Sequence, residues 1–177
     1  MQRRQLIRAL ASAGALVAVF ACDRAATAQA KSPATTKGDF PPLTKTRTQW
    51  RALLPPDRYA VLVEEDTERP FSSPLDREKR AGTFVCAACR LPLFLSRDKF
   101  DSGTGWPSFM RAIPQRTATR RDLSMILPRL EYHCARCGGH QGHIFDDGPQ
   151  PTGQRFCNNG LALEFVLSTA KLPPLVS

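Results

Sequence analysis

The chain has 177 residues, 42% of them hydrophobic and 23% charged, with six cysteines, fifteen prolines and a formal net charge of +9. That length suits one soluble domain with extensions, and the proline and cysteine content argues for a turn-rich, stapled fold over a helical bundle. Beyond Ala30 the charge falls to about +6 and is spread along the chain without a dense Lys/Arg cluster, which describes a solvated surface and not a nucleic-acid footprint.

Residues 1–30 read as a targeting segment. Arg3-Arg4 stand before Leu6-Ile7-Arg8, and an apolar run follows from Ala9 to Ala21. This resembles a twin-arginine export signal, with Gln2 where a hydroxyl residue is commoner. The run is too short to span a membrane comfortably. Ala28-Gln29-Ala30 supplies a small-x-small cleavage pattern after Ala30; the weaker rival is lipidation at Cys22, where bulky Phe20 departs from the usual small residues. Either route places the mature protein outside the cytoplasm, in the periplasm, with no stable membrane span. Residues 31–43, rich in Pro, Thr, Ala and Lys without apolar period, read as a flexible tether.

The folded domain is expected over 44–170, with a tail over 171–177. Trp50, Leu53 and Leu54 recur at helical spacing until Pro55-Pro56 ends the run, and Pro56-Asp57 starts a second short helix carrying Tyr59, Leu62 and Val63. Thr67 to Arg80 is irregular. Gly82 to Phe94 reads as a strand broken by a Cys-Ala-Ala-Cys turn. Lys99 to Phe109, KFDSGTGWPSF, is a glycine-rich loop that presents Trp106. Met125 to Cys134 is a further strand, interrupted by Pro128 and therefore expected at a sheet edge.

Cys86-x-x-Cys89 and Cys134-x-x-Cys137 are two pairs of identical spacing, the second followed by Gly138-Gly139. Two such turns present four thiolates tetrahedrally, about 2.3 Å from Zn²⁺, in a closed site with no open position. Disulfides are the alternative that an exported chain permits. Vicinal pairs close small loops and constrain the unfolded chain little, so one structural zinc is the favoured reading. The remaining thiols are Cys22 and Cys157. Cleavage after Ala30 removes Cys22 and lipidation blocks it, which leaves Cys157 as the free thiol of an exported protein.

Cys157 lies in a distinctive stretch, Gly138 to Leu167. Read as one strand, Arg155 to Leu167 carries Arg155, Cys157, Asn159, Leu161, Leu163, Phe165 and Leu167 on one face, polar at its start and apolar beyond. His140 and His143 stand just upstream among glycines. A lone thiol, two imidazoles and a side-chain amide are the parts of a cysteine-based active site.

With these residues in hand, the chain resembles the methionine sulfoxide reductase B family, the peptide-methionine (R)-S-oxide reductases. The blocks that carry the resemblance are TERPFSSPLD, GTFVCAACRLPLF, KFDSGTGWPSF, CGGHQGHIFDDGPQPTG and RFCNNGLALEF, in family order and spanning roughly Thr46 to Ser168. The resemblance implies a mainly β fold of two antiparallel sheets with short N-terminal helices, stapled by a structural zinc on Cys86, Cys89, Cys134 and Cys137. It implies Cys157 as nucleophile, with His140, His143 and Asn159 around the sulfoxide oxygen. Trp106 then receives the S-methyl group, with Phe145 and Arg155 completing the substrate-binding set. Expected partners are proteins or peptides containing methionine sulfoxide and a thioredoxin-like or small-thiol reductant, with a monomeric enzyme and no nucleic acid.

The chemistry calls for those residue types. Thiolate attack on the sulfoxide sulfur needs the oxygen protonated or strongly hydrogen-bonded as it leaves. His143 is the expected donor, supported by His140 and Asn159, and Arg155 is expected to favour the thiolate. The products are methionine and a sulfenic acid on Cys157. Two departures from the family stand out: Thr104 occupies the place where many relatives have a resolving cysteine, and Asn158 a place that is usually apolar. A zinc-ribbon binding module without catalysis is the rival class, but it leaves GHIFDDG and Cys157 without a role. Changing Arg3 and Arg4 both to Lys is expected to hold precursor in the cytoplasm, seen by fractionation; normal export of that variant would point to the general secretory route.

Overall fold

The computed structural model describes residues 39–124 and 127–177; the export-signal reading, Cys22 and most of the expected tether lie outside them. Two short helices open the domain. Helix α1 (Arg47–Leu53) starts from a capping box in which the Thr46 hydroxyl accepts from the Gln49 N–H and the Gln49 side chain accepts from the Thr46 N–H. It stops at Leu54, held extended by the following proline. Helix α2 (Pro56–Glu64) begins with Pro56 in its first turn and ends at Glu65 in the left-handed region. The buried Trp50, Tyr59, Val61 and Leu62 fasten the pair to the body of the domain.

The rest is β structure: β1 (Gly82–Cys86), β2 (Pro92–Leu95), β3 (Lys99–Phe100), β4 (Ser108–Phe109), β5 (Thr117–Asp122), β6 (Arg129–Cys134), β7 (His140–Phe145), β8 (Arg155–Asn158) and β9 (Leu163–Leu167). A three-stranded sheet runs β2-β1-β9, and a six-stranded sheet runs β3-β4-β8-β7-β6-β5; every pairing is antiparallel. The mainly β, two-sheet expectation therefore holds. Between the sheets lies an aromatic core. Phe84 and Phe94 of the small sheet meet Phe109 of the large one at 4.9 Å and 4.2 Å between ring centres, and Tyr132 packs edge-on against Phe156 at 5.2 Å. Each such buried ring contributes ~1.5–3 kcal/mol from area alone. Among the described residues no helix is long and apolar enough to cross a membrane.

Two expectations are corrected. Arg155 to Leu167 is not one strand: β8 belongs to the large sheet and β9 to the small one, and a 3₁₀ turn at Gly160–Ala162 carries the chain between them. The break is enforced from a distance, because the buried Glu68 carboxylate accepts the N–H groups of Gly160 and Leu161 and so pulls them out of any ladder. Phe165 and Leu163 consequently face the core of the other sheet and are not an extension of the Cys157 face. Nor does the strand ending at Cys134 lie at an edge. Pro128 precedes it, so β6 keeps its donors and sits between β5 and β7.

Candidate active site and cysteine cluster

Strand register sets the composition of the site. Directly opposed residues of antiparallel strands share a face, with Cβ atoms about 4.5–5.5 Å apart. Cys157 of β8 opposes Ser108 of β4 on one side and His143 of β7 on the other; His143 opposes Glu131 of β6, which opposes Arg120 of β5. One polar row thus crosses five strands. The alternate rows, with Phe109, Phe156 and Tyr132, face the core.

His140 joins this row through an irregularity. In a regular strand residues three apart point to opposite faces. Here Tyr132 opposes Gly142 while His133 opposes His140, so Gln141 is an extra residue in β7 and the bulge turns His140 toward His143. The two rings lie 5.5 Å apart, edge to face. Gly142 is required beside them, since a Cβ there would run into the Cys157 carbonyl.

Each imidazole is held by a carboxylate. His143 Nε2 lies 2.8 Å from Asp122 Oδ2, which also takes Arg129 at 2.7 Å. Hydrogen bonds from Ser124 first, then His143 and Arg129, hold Asp122 well below the usual carboxylate range. It therefore only accepts, and the His143 proton sits on Nε2. Burial, with Arg129 and His140 nearby, pushes His143 below its ordinary value against the pull of Asp122, so the ring is neutral at pH 7 and its Nδ1 is an acceptor. His140 Nδ1 lies 2.8 Å from Glu131 Oε1, and His133 and Arg120 hold the other carboxylate oxygen at 3.1 Å and 3.0 Å. His140 Nε2 is buried and has no partner among the described residues.

A cavity of about 130 Å³ opens over this row. Cys157, His143, Asn159, Trp106 and Phe145 line it, together with Arg129. The Trp106 ring N–H donates to the Glu68 carbonyl at 3.1 Å, which fixes the indole as a wall. Asn159 accepts from the Glu68 N–H and donates to the Gln141 carbonyl, both at 3.1 Å, which leaves its second amide hydrogen for the cavity. Two expected site residues stand back from the cavity. His140 lies behind His143, and Arg155 forms a two-pronged pair with Asp147 at 2.7 Å and 2.8 Å while stacking on Phe145 at 4.3 Å. Burial pushes the Cys157 thiol up; the Arg155 charge and hydrogen bonds from Thr104 and Arg155 pull it back without overcoming burial.

Cys86, Cys89, Cys134 and Cys137 meet at the far end of the two C-x-x-C turns, every sulfur within 4.8 Å of the others. Sulfurs from opposite turns face each other, Cys86 to Cys137 at 3.7 Å and Cys89 to Cys134 at 3.5 Å. A tetrahedron with metal–sulfur bonds of about 2.3 Å has edges of about 3.8 Å, so these sulfurs are already placed for one ion. Hydrogen bonds among them, with Cys134 foremost, push Cys86 and Cys137 up and draw Cys89 down. Four thiols so close compete for protons, and a dication that takes all four as thiolates removes the conflict.

A SelR domain matches residues 54–167. The chain is 52% identical over 121 residues to a peptide methionine sulfoxide reductase MsrB of Bradyrhizobium diazoefficiens, covering 68% of this chain and 87% of the relative. It is 50% identical over 122 residues to that of Pseudomonas putida, with 68% and 92% covered, and 48% over 122 residues to that of Methanosarcina mazei, with 68% and 87% covered. The chain belongs to the methionine sulfoxide reductase B family. It is an oxidoreductase. Against the methionine sulfoxide reductase B pattern, Asn158 does not disturb the core. It is fully buried, accepts from the Tyr132 hydroxyl at 2.6 Å, and donates to the Asn159 carbonyl at 2.7 Å and to Gln141 at 3.4 Å.

The sequence reading missed Asp122, Glu131, Glu68, Arg129 and Asp147, all of which hold a site residue or line the cavity. Asp122, Arg129 and Glu131 are brought in by strand register, which is not visible before the strands are paired, whereas Glu68 and Asp147 reach the site from loops. Glu131 yields a prediction. Burial pushes its carboxyl up, but hydrogen bonds from His133 and His140 win and hold it at about 2, below its ordinary 4.5. A depressed carboxyl stabilises the fold fully above its unfolded value and loses that stability as pH falls through the folded one. Glu131→Gln is therefore expected to cost ~1–3 kcal/mol at pH 7 and to flatten the fall in stability between pH 4.5 and 2. Urea unfolding across that window measures both, and an unchanged acid limb would contradict the assignment.

Proposed function

We propose that this chain reduces methionine (R)-S-oxide in proteins or peptides to methionine, through attack by Cys157 and a sulfenic acid intermediate, as repair of oxidised proteins in the periplasm. The observation that carries the reading is the opposition of Cys157 and His143 on neighbouring strands, at the base of a small cavity with Trp106 and Phe145 as walls. That cavity takes a methylsulfinyl head and leaves the peptide outside. An indole wall for the methyl group, with polar donors on another side for the oxygen, makes the pocket handed and so selects one epimer.

The steps balance as follows. The buried thiol transfers its proton to the neutral His143, whose free Nδ1 can receive it, and His143 passes it to the sulfoxide oxygen. The Cys157 sulfur bonds to the positively polarised sulfur as the S–O bond breaks and the protonated oxygen leaves as hydroxide; that hydroxide then bonds to the Cys157 sulfur while the sulfur–sulfur bond breaks, its electron pair going to the methionine that is released, and the sulfenic acid remains. Asn159 hydrogen-bonds the departing oxygen, while His140 and Arg155 hold His143 and Phe145 in place. Two reductant thiols then return Cys157 to the thiol, forming a disulfide and one water. Thr104 offers no sulfur for this, so the reductant is an external small thiol or thioredoxin-like protein.

Cys86, Cys89, Cys134 and Cys137 hold a single structural Zn²⁺ that ties the turn after β1 to the turn before β7. It supplies cohesion and takes no part in the reaction. The paired Arg3 and Arg4 support folded export, a route that carries a protein with its metal already in place.

Metal analysis is expected to give about one zinc per chain, and Cys86→Ser to destabilise the domain strongly; a folded, metal-free protein with two disulfides would overturn the zinc assignment. The function itself is tested with the chain beginning at Lys31, each epimer of a methionine sulfoxide peptide, and dithiothreitol. Only the R epimer should be consumed. Cys157→Ser should abolish turnover while keeping fold and zinc, and His143→Ala should slow it ~10²–10⁴-fold. Activity surviving in Cys157→Ser would show the nucleophile to be another residue.

A further inference from the structure

Beside the row that holds Cys157 and His143, the same face of the large sheet carries a second one. Asp122 opposes Arg129 between β5 and β6, and Phe145 opposes Arg155 between β7 and β8. The register of β6 with β7, Leu130 against Ile144, sets Arg129 next to Phe145. This row holds two arginines, and they are used differently. Arg155 spends its fork on both oxygens of Asp147, stacks on Phe145 and stands outside the cavity lining. Arg129 directs Nε and Nη2 to a single oxygen, Asp122 Oδ2, at 3.2 Å and 2.7 Å. The other oxygen is taken by the Ser124 N–H at 2.9 Å and the Ser124 hydroxyl at 2.6 Å.

A guanidinium carries five N–H hydrogens and accepts nothing. Asp122 takes two of those on Arg129, and no acceptor among the described residues meets the rest. The side chain is 34% exposed and lines two cavities, the small one over Cys157 and an adjoining one of about 530 Å³. Only Thr67 and His143 also line both, so Arg129 stands where the two cavities meet. Of the residues that line the catalytic cavity, it alone carries a fixed charge.

We propose that Arg129 binds the substrate main chain, donating to a carbonyl oxygen of the polypeptide that carries the methionine sulfoxide, and so favours peptides over bare sulfoxides. The proposal rests on the reading of the small cavity as the sulfoxide site. In methionine sulfoxide only two methylenes separate the sulfur from the main chain. A head seated at Cys157 therefore leaves the backbone at the mouth, where Arg129 stands. Peptide groups that lose water there need partners, and a guanidinium can serve only the carbonyl. Asp122 balances the charge and holds the fork in place, so a neutral acceptor is met by a donor already oriented. The sulfoxide oxygen is a poorer match, since His143 and Asn159 serve it from within the cavity.

The test compares two (R)-sulfoxides with dithiothreitol as reductant: N-acetyl-methionine sulfoxide N-methylamide, which has a main chain, and methyl propyl sulfoxide, which has the side chain alone. In the unaltered protein kcat/KM should favour the amide by ~10–100-fold, the worth of a hydrogen bond from a charged donor. Arg129→Ala should remove most of that preference, and Arg129→Lys, which keeps the charge without the fork, a part of it. An indirect effect through Asp122 on His143 would slow both substrates alike, and equal losses on both overturn the proposal. So does an unaltered protein that shows no preference for the amide, a result that stands even if Arg129→Ala fails to fold. Binding of the amide to Cys157→Ser, with and without Arg129→Ala, needs no turnover. A Kd that ignores Arg129 overturns the proposal, whereas a Kd that depends on it, in a protein that reduces neither sulfoxide, supports the proposal and defeats the functional reading.

Discussion

The antiparallel pairing of β7 with β8 is the constraint on which the rest depends. It places His143 opposite Cys157 without any help from side-chain chemistry, because backbone hydrogen bonds set the spacing and the pleat sets the face. Two local features make the pairing serve a reactive site. The extra residue Gln141 turns His140 toward His143, and Gly142 lets the backbones approach so closely that any Cβ would strike the Cys157 carbonyl. Shifting the register by one residue would carry the thiol into the aromatic core and Phe156 into the cavity. Catalytic geometry and core packing are therefore specified by the same ladder.

A buried thiol beside a buried imidazole is a poor place for charge, and the domain answers with carboxylates instead of water. Asp122 orients His143, Glu131 collects His133, His140 and Arg120, and Asp147 holds Arg155. Glu68 differs, since it takes two backbone N–H groups of the 3₁₀ turn, and its carboxyl is pushed up by burial against those donors. By bending the chain after Asn158 it sends β9 into the other sheet, while its own N–H and carbonyl position Asn159 and Trp106. One acidic side chain thus shapes both the topology and two walls of the cavity. Its effect is structural, although it lies just behind the reactive group.

What could be read from the sequence was local. Pro55-Pro56 with its flanking residues delimits two helices, because caps and prolines act within a turn of where they stand. The two C-x-x-C spacings announce a four-sulfur cluster for the same reason, and counting cysteines isolates Cys157. What escaped was non-local. Asp122 lies 21 residues from His143, and nothing along the chain links them until β5, β6 and β7 are laid side by side. β5 itself, TATRRD, is charged and half-exposed, so it carries no apolar alternation to betray a strand. The break at Gly160 was hidden because its cause, Glu68, lies 92 residues away.

Asn158 shows how a residue that looks misplaced in sequence becomes consistent in space. Its amide is surrounded by the Tyr132 hydroxyl, the Gln141 side chain and the Asn159 carbonyl, all of them buried. Gly142, opposite both Tyr132 and Asn158 in the ladder, has no side chain to keep them apart. Gln141 carries the network on, donating to the Gly139 carbonyl at 3.4 Å and toward Cys86 Sγ at 3.7 Å. These groups stand or fall together, because each is satisfied only by the others. Removing one strands a buried donor or acceptor at a cost of ~1–3 kcal/mol, whereas replacing the whole set by apolar groups of similar shape is close to neutral. The polar set therefore exchanges only as a block, and by hydrogen bonds it joins the cysteine cluster to the strand that carries Cys157.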